Sequence, residues 1–309
     1  MQIQLPNIPN EPVPISFRDG ITLHIKREDK THPKVSGNKY RKLKYNLQEA
    51  KRQGFTKLIT FGGAYSNHIA ATAAAGQLCN IETIGVIRGD ELASKIAQNP
   101  TLQYAASCGM KFHFVSREAF RKKHTPEFKI YLENIFGKYY YVPEGGTNHW
   151  AVKGCQEIIT PCDTAFNFIT TAIGTGGTIS GIINASFEHQ KILGFPALKG
   201  YFLSEEIKKY AEKSNWKLIH QYNLGGYAKI NDEFIAFLNN FYQKTAIPLD
   251  PVYTGKMIWG VIDLIDKGFF PKQSKILAIH TGGLQGIYGM NQKLEKQNKN
   301  CLIYENEIG

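Results

Sequence analysis

Residues 21 to 28 of the chain, ITLHIKRE, alternate apolar and polar side chains, the period of a strand with one buried face. After a loop with Pro33 and Gly37 the period changes. Leu43, Leu47 and Ala50 recur at helical spacing and predict a helix from about Asn38 to Gln53. A regular beat follows. KLITF (Lys57 to Phe61) predicts a short buried strand, SNHIAATAAAGQL (Ser66 to Leu78) a helix of mostly small residues, and TIGVI (Thr83 to Ile87) another strand. A helix over Glu91 to Cys108, a strand at Lys111 to Val115, a polar helical stretch and a strand at Tyr139 to Val142 complete the series. Strands interleaved with helices predict parallel βαβ units and a doubly wound sheet.

The loop PEGGTN, Pro143 to Asn148, interrupts this beat with two glycines and reads as a hinge or domain crossing. A second α/β series follows: a helix around Ala151 to Ile159, a strand at Asn167 to Ile173, a helix after Gly177 and a strand near Leu198 to Phe202. Helices near Asp232 to Tyr242 and Gly255 to Lys267 and a strand at Lys275 to His280 close it. The expected fold class is α/β, two doubly wound lobes with parallel sheets and a ligand in the cleft between them.

Composition narrows the function without naming it. With 309 residues, 42% of them hydrophobic, the chain can bury a large core in about two domains. The net charge of +11 raises the question of an anionic partner, but no basic run exceeds Arg121-Lys122-Lys123, so a solvated basic surface is expected and no nucleic-acid partner. Five cysteines at irregular spacings, none in a CxxC pair, predict reduced thiols and a cytoplasmic location. The opening MQIQLPNIPNEPVP lacks a basic, apolar, small-residue signal, and no apolar run approaches the roughly 20 residues of a membrane helix. A soluble, untargeted chain is expected.

Four stretches carry candidate chemistry. In NFITTAIGTGGTISGI a buried strand gives way to Gly174, Thr175, Gly176, Gly177 and Thr178 and then to a helix; glycines let backbone N–H groups converge, and the helix N-terminus favours an anion. A phosphate suits it. The loop lacks the Lys-Ser/Thr of a Walker A motif, and Ile179 stands where the third glycine of GxGxxG would fall, so the usual nucleotides are disfavoured. In LITFGGAYSNHIAATAAAG the same architecture recurs, with Ser66 and Asn67 at the helix cap; they read as plain caps, or as a second anion subsite for a substrate carboxylate. In LDPVYTGKMIWGVIDLI, Tyr253 and Thr254 precede a helix, and in LAIHTGGLQG a strand ends at Thr281; His280 reads as a packed strand-end histidine. The nine histidines show no metal-ligand spacing, so no metal is expected.

Lys39, in SGNKYRKLKYNL, lies where the helix macrodipole disfavours a cation. Taken alone it reads as one surface lysine among Arg41, Lys42 and Lys44. In a chain with a non-nucleotide phosphate loop, it reads as a Schiff-base lysine, and pyridoxal 5'-phosphate is the phosphate-bearing cofactor that uses one. The macrodipole favours its neutral, nucleophilic form.

Together GNKYRKL, GGAYSNH, GTGGT, GGY, LDPVYTGK and HTGG resemble, in order, the motifs of the fold type II pyridoxal-phosphate enzymes of the D-cysteine desulfhydrase and 1-aminocyclopropane-1-carboxylate deaminase family. The resemblance runs from about Lys26 to Gly286. It implies a tryptophan synthase β-like fold in which residues 1–50 and 149–309 form the large cofactor-binding domain and 51–148 a smaller one. It implies that Lys39 carries the cofactor and is the base at the substrate Cα, that Asn67 bonds the cofactor's 3′ oxygen, and that Gly174 to Thr178 hold its phosphate. Ser66, with neighbouring amides and the adjoining Asn67 and His68, would receive the substrate, Ser66 also assisting proton transfer. Tyr227, in LGGYAK, and Tyr253 match the family's two active-site tyrosines, which handle the side chain or leaving group. A small amino-acid substrate and a homodimer are implied as well.

Within the family, a glutamate follows the second tyrosine in the deaminases and faces the pyridine nitrogen, strengthening the electron sink. Here it is Thr254, and Thr281 stands where deaminases tend to have leucine. Both match the desulfhydrase form. Opening a cyclopropane that has no α-proton asks more of the sink than eliminating a β-thiolate. The expected reaction is therefore α,β-elimination of D-cysteine to pyruvate, ammonia and sulfide, with 1-aminocyclopropane-1-carboxylate deamination, or another fold type II lyase or racemase on D-amino acids, as alternatives. Two departures concern the substrate pocket: Ile69, Ala70 and Ala71 follow His68 where many members place an arginine, and the segment between Ile182 and Gly226 is short.

Overall fold

A computed structural model describes residues 7–200 and 202–304. The strands are β1 (Asn10–Pro12), β2 (Thr22–Lys26), β3 (Lys57–Gly62), β4 (Glu82–Arg88), β5 (Lys111–Val115), β6 (Tyr140–Tyr141), β7 (Phe168–Ile173), β8 (Lys191–Pro196), β9 (Trp216–Leu218) and β10 (Lys275–Ile279). The α-helices are α1 (Asn38–Arg52), α2 (Asn67–Cys79), α3 (Pro100–Ser107), α4 (Arg117–Arg121), α5 (Pro126–Phe136), α6 (His149–Gln156), α7 (Gly177–Ala185), α8 (Phe202–Lys208), α9 (Asp232–Thr245), α10 (Thr254–Asp266) and α11 (Gly286–Glu295). They build two sheets. One has the order β1-β2-β10-β7-β8-β9, parallel except for β1, and the other is the all-parallel β5-β4-β3-β6.

The strand sequences explain why helices cover both faces. In β7, FITTAI, Phe168 and Ala172 join one apolar cluster while Ile169 and Ile173 join another; in β10, Ile276 and Ala278 divide from Leu277 and Ile279 in the same way. A strand apolar on both faces belongs in the middle of a helix-covered parallel sheet. In the smaller sheet Leu58 and Ile87 face one cluster, and Ile59, Phe61, Ile84 and Val86 the other. The two-lobed parallel α/β fold expected from the beat of strands and helices is present.

Two local expectations are corrected. The helix expected over Glu91 to Cys108 is a 3-10 segment at Asp90–Gln98 followed by α3, because Pro100 starts a new helix that Asn99 caps through Leu102 N–H at 3.0 Å. The strand expected near Leu198 to Phe202 includes Tyr201, which lies outside the described residues. The strand of that region is β8, KILGFP, whose Gly194 and Pro196 obscure the apolar run, and the described part of the expected strand is a turn leading to α8. Finally, Met1 to Pro6 of the polar opening also lie outside the described residues.

α1, reached from β2 of the large sheet, has a rigid footing. Arg41 makes a two-pronged contact with the buried Glu28, Nε and Nη2 each at 2.9 Å, and Leu43 and Leu47 are in the core. Lys39 and Lys42, one turn apart, share the helix face turned to the cleft. The crossing loop has left-handed glycines, Gly145 at φ 67° and Gly146 at φ 75°, and lies between β6 of one sheet and β7 of the other.

Candidate active site

A cavity of about 680 Å³ opens where the carboxyl ends of both sheets meet. Its lining includes Lys39, Ser66, Asn67, His68, Gly174, Thr175, Gly176, Thr178, Tyr227, Tyr253 and Thr281, so the structure brings together residues from all six motifs. Crevices outside strand carboxyl ends are the usual ligand sites of such sheets.

The turn before α1 aims Lys39. Gly37 has φ +66°, and a Cβ there would lie 2.0 Å from the Thr281 carbonyl oxygen, so only glycine lets the two chains meet. That carbonyl accepts the Asn38 N–H at 3.2 Å. Asn38 Nδ2 donates to Thr178 Oγ1 at 2.8 Å, while Lys39 Nζ has a 3.3 Å contact with Asn38 Oδ1. Burial, with the Lys42 ammonium nearby, pushes Lys39 down to about 7.

Lys42, in the sequence one of several cations beside Lys39, is buried and points into the glycine loop. Its Nζ donates to the Gly145 carbonyl at 2.9 Å, Thr147 Oγ1 at 3.1 Å and Thr175 Oγ1 at 3.4 Å. No carboxylate among the described residues pairs it, and burial lowers its pKa. α7 begins beside it with Gly176 at φ +85° as N-cap and no side-chain cap, so its first N–H groups point outward unpaired by any cap. An unpaired buried cation facing an uncapped helix N-terminus and threonine hydroxyls is a fitted place for a phosphate. Gly177, behind the loop, opens α7 against Thr147.

Across the cavity Ser66 is the N-cap of α2, its Oγ accepting from His68 N–H at 3.2 Å and Ile69 N–H at 3.4 Å. Among the described residues no acceptor takes the hydroxyl proton, which leaves it for a ligand. Asn67 Oδ1 accepts from Gln285 Nε2 at 3.2 Å, a partner 218 positions away that sequence reasoning missed. His68 is buried, with Nε2 2.7 Å from Thr60 Oγ1 and Nδ1 without a partner. Since Thr60 also donates to the Val142 carbonyl at 2.9 Å, His68 Nε2 carries the proton and Nδ1 is a lone pair. Burial and the cations of Lys39 and Lys42 hold the ring well below its usual pKa, hence neutral.

Tyr227 and Tyr253 meet edge to face, ring centroids 6.0 Å apart, with Tyr253 also against Gly174. Burial raises both phenols, Tyr253 well above the usual value, while the neighbouring Tyr253 and then the Arg88 guanidinium oppose the rise at Tyr227. Both are proton donors at neutral pH.

Thr254 departs from the expectation that it lines the cofactor site. It is wholly buried at the start of α10, its hydroxyl donating to Asp250 Oδ2 at 2.7 Å, and it is absent from the cavity lining. Asp250 organises the whole turn by also accepting the N–H groups of Val252, Tyr253 and Thr254. Thr281 does line the cavity. His280 is packed as expected, with Nε2 2.7 Å from the Pro248 carbonyl. Among the described residues no cluster of His, Cys, Asp and Glu suits a metal, and no helix is long and apolar enough to cross a membrane.

A buried lysine of lowered pKa beside a phosphate cradle, in a cleft of this fold, defines the class of pyridoxal-phosphate enzymes of fold type II. A family model described as pyridoxal-phosphate dependent enzyme matches residues 11–282. The chain belongs to that family, in its 1-aminocyclopropane-1-carboxylate deaminase and D-cysteine desulfhydrase branch. It is 33% identical over 315 residues to a mitochondrial bifunctional D-cysteine desulfhydrase/1-aminocyclopropane-1-carboxylate deaminase of Arabidopsis thaliana, covering 92% of this chain and 75% of that one. A Pyrococcus horikoshii protein with the provisional name of a 1-aminocyclopropane-1-carboxylate deaminase is 32% identical, with 91% of this chain and 90% of that one covered. A crystal structure of an ACC deaminase homologue superposes with a TM-score of 0.82 at 29% identity, covering 94% and 93% of the two chains.

Proposed function

We propose that the protein is a lyase that carries out α,β-elimination on a small β-substituted amino acid, converting D-cysteine and one water to pyruvate, ammonia and hydrogen sulfide. The observation that carries the reading is that position 254, a glutamate in the deaminases this chain resembles, is a threonine whose hydroxyl is turned away onto Asp250, so that no carboxylate at this position faces the cavity. Bound pyridoxal phosphate supplies the electron sink that acidifies the substrate Cα–H. The protein's part is to orient and to move protons. Lys42, Thr175, Thr178 and the N–H groups of α7 hold the phosphate, and Asn67 the 3′ oxygen. Ser66 donates its free proton to the substrate carboxylate. Lys39 would anchor the cofactor and would serve as the base that takes the substrate Cα proton; an amine with a pKa of about 7 is substantially neutral at neutral pH. Tyr227, at the mouth of the cavity, gives its proton to the departing sulfur and regains one from solvent, while the ring of Tyr253 supports it edge to face.

The names of the relatives favour a second reading, deamination of 1-aminocyclopropane-1-carboxylate to 2-oxobutyrate and ammonia. One experiment separates the two. Purified holoenzyme is given D-cysteine, L-cysteine and 1-aminocyclopropane-1-carboxylate in turn, and sulfide, pyruvate and 2-oxobutyrate are assayed. Sulfide and pyruvate from D-cysteine are expected; their absence above a Lys39→Ala control, or 2-oxobutyrate as the main product, overturns the proposal.

A further inference from the structure

A second, smaller cavity of about 290 Å³ lies beside the first, lined by Arg88, Arg117, Phe120, Arg121, Lys123 and Glu144. Arg88 and Glu144 line both cavities. We propose that this is a binding site for a small oxyanion carrying two or more charges, phosphate or carboxylate, distinct from the cofactor's phosphate cradle.

Local structure gathers the cations. Arg117, Phe120 and Arg121 stand at helical spacing on α4 and share one face, while Arg88 ends β4 and Lys123 follows the helix. Phe120 is buried at 3% exposure, its ring in edge contact with Phe61 of the core, 6.3 Å between centroids. The ring is a fixed floor. Lys123 Nζ lies 4.7 Å and Arg88 Cζ 6.0 Å from its centroid, so two cations are held at the aromatic face before any ligand arrives.

The charge on this floor is only partly answered from within. Lys123 pairs with Glu144 at 3.2 Å and Arg117 with Glu91 at 2.8 Å. Arg88 and Arg121 have no carboxylate partner among the described residues. Two free guanidinium forks around a concave, aromatic-floored space match the planar, multidentate acceptors of phosphate or paired carboxylates. A monovalent anion would leave one fork unanswered. Occupation also reaches the active site, because Arg88 lowers the pKa of Tyr227. An anion on Arg88 removes that influence and leaves the phenol a weaker acid.

The test uses holoenzyme reduced with borohydride, so that the cofactor is fixed and its phosphate cradle filled. Inorganic pyrophosphate and citrate are titrated by calorimetry at an ionic strength held constant with sodium chloride. Saturable binding of one equivalent of either is expected; pyrophosphate alone identifies phosphate, and citrate alone carboxylate. Arg88→Ala with Arg121→Ala should weaken it by about 10-fold or more. Arg121→Glu alone, on an exposed side chain, should do the same without touching the floor. Heats that never saturate, or binding unchanged in both variants, overturn the proposal.

Discussion

The molecule contains the same junction twice: a buried strand, a pair of glycines, and the N-terminus of a helix facing the cleft. At the β3–α2 junction the helix caps itself, Ser66 accepting two of its N–H groups. At the β7–α7 junction the cap position is Gly176 at φ +85°, and no side chain answers the helix. The difference divides the labour. The uncapped end offers backbone donors and a buried Lys42, which suits a group that never changes, the cofactor phosphate. The capped end offers side chains, Ser66, Asn67 and His68, which suit a substrate to be discriminated.

Lys39 stands between the two junctions, and its removal should abolish what both serve. Lys39→Ala is expected to lower kcat/KM by at least about 10³-fold, a base and a covalent anchor being lost together. The visible absorbance of the Schiff base should vanish from the variant, and borohydride reduction of the native holoenzyme should leave the pyridoxyl group on Lys39. A pyridoxyl group mapped elsewhere would break the arrangement altogether.

Removing Lys42 tests the anion side alone. Lys42→Met, similar in length and uncharged, should weaken cofactor binding by roughly 10- to 100-fold, the worth of a charge-assisted contact of about 1.5–3 kcal/mol. Equilibrium dialysis of pyridoxal phosphate against the apoprotein measures it. An unchanged affinity would mean that the uncapped helix end holds the phosphate unaided.

The two junctions were unequally legible in the sequence. Glycines between a short apolar strand and a helix are local signals, so GTGGT and GGAYSNH were found, as was the parallel beat around them. What reaches a junction from afar has no local signature. Lys42 meets Gly145, Thr147 and Thr175 more than a hundred positions away, and looked like one more cation of a basic helix. Gln285 approaches Asn67 in the same way. Thr254 shows the converse error: its place in the motif was clear, but the hydroxyl goes to Asp250 four residues earlier, which only the turn geometry reveals.

Ser66 separates cap from chemistry. Ser66→Ala should cost about 1 kcal/mol of stability, the usual worth of an N-cap, and lower kcat/KM by about 10²-fold through loss of its proton. Ser66→Asp caps the helix equally well but sets an anion against the substrate carboxylate. Its melting temperature should match the native protein while KM rises. If aspartate restored activity, Ser66 would be no more than a cap.

The smallest effect concerns His68, which lies between the two lysines' fields and is buried with an unpartnered Nδ1. Its pKa in the folded protein lies well below 6.5, because burial and then the cations of Lys39 and Lys42 oppose its charging. The unfolded chain takes up that proton as the pH falls through about 6.5, and the folded protein does not. Unfolding is therefore favoured at acid pH, and stability should fall by up to about 1.4 kcal/mol per pH unit from this group. Lys39 acts in a higher window with the same sign: between about 7 and its ordinary 10.5 the unfolded chain holds the extra proton, so its contribution rises with pH. Denaturant melts of the apoprotein at pH 5.0 and 6.5 should show a smaller acid loss in His68→Gln, whose amide can still meet Thr60 but cannot titrate. Equal losses in the two proteins would mean that His68 takes up its proton as readily in the folded protein as in the unfolded chain, so that neither burial nor the lysine pair keeps the ring neutral.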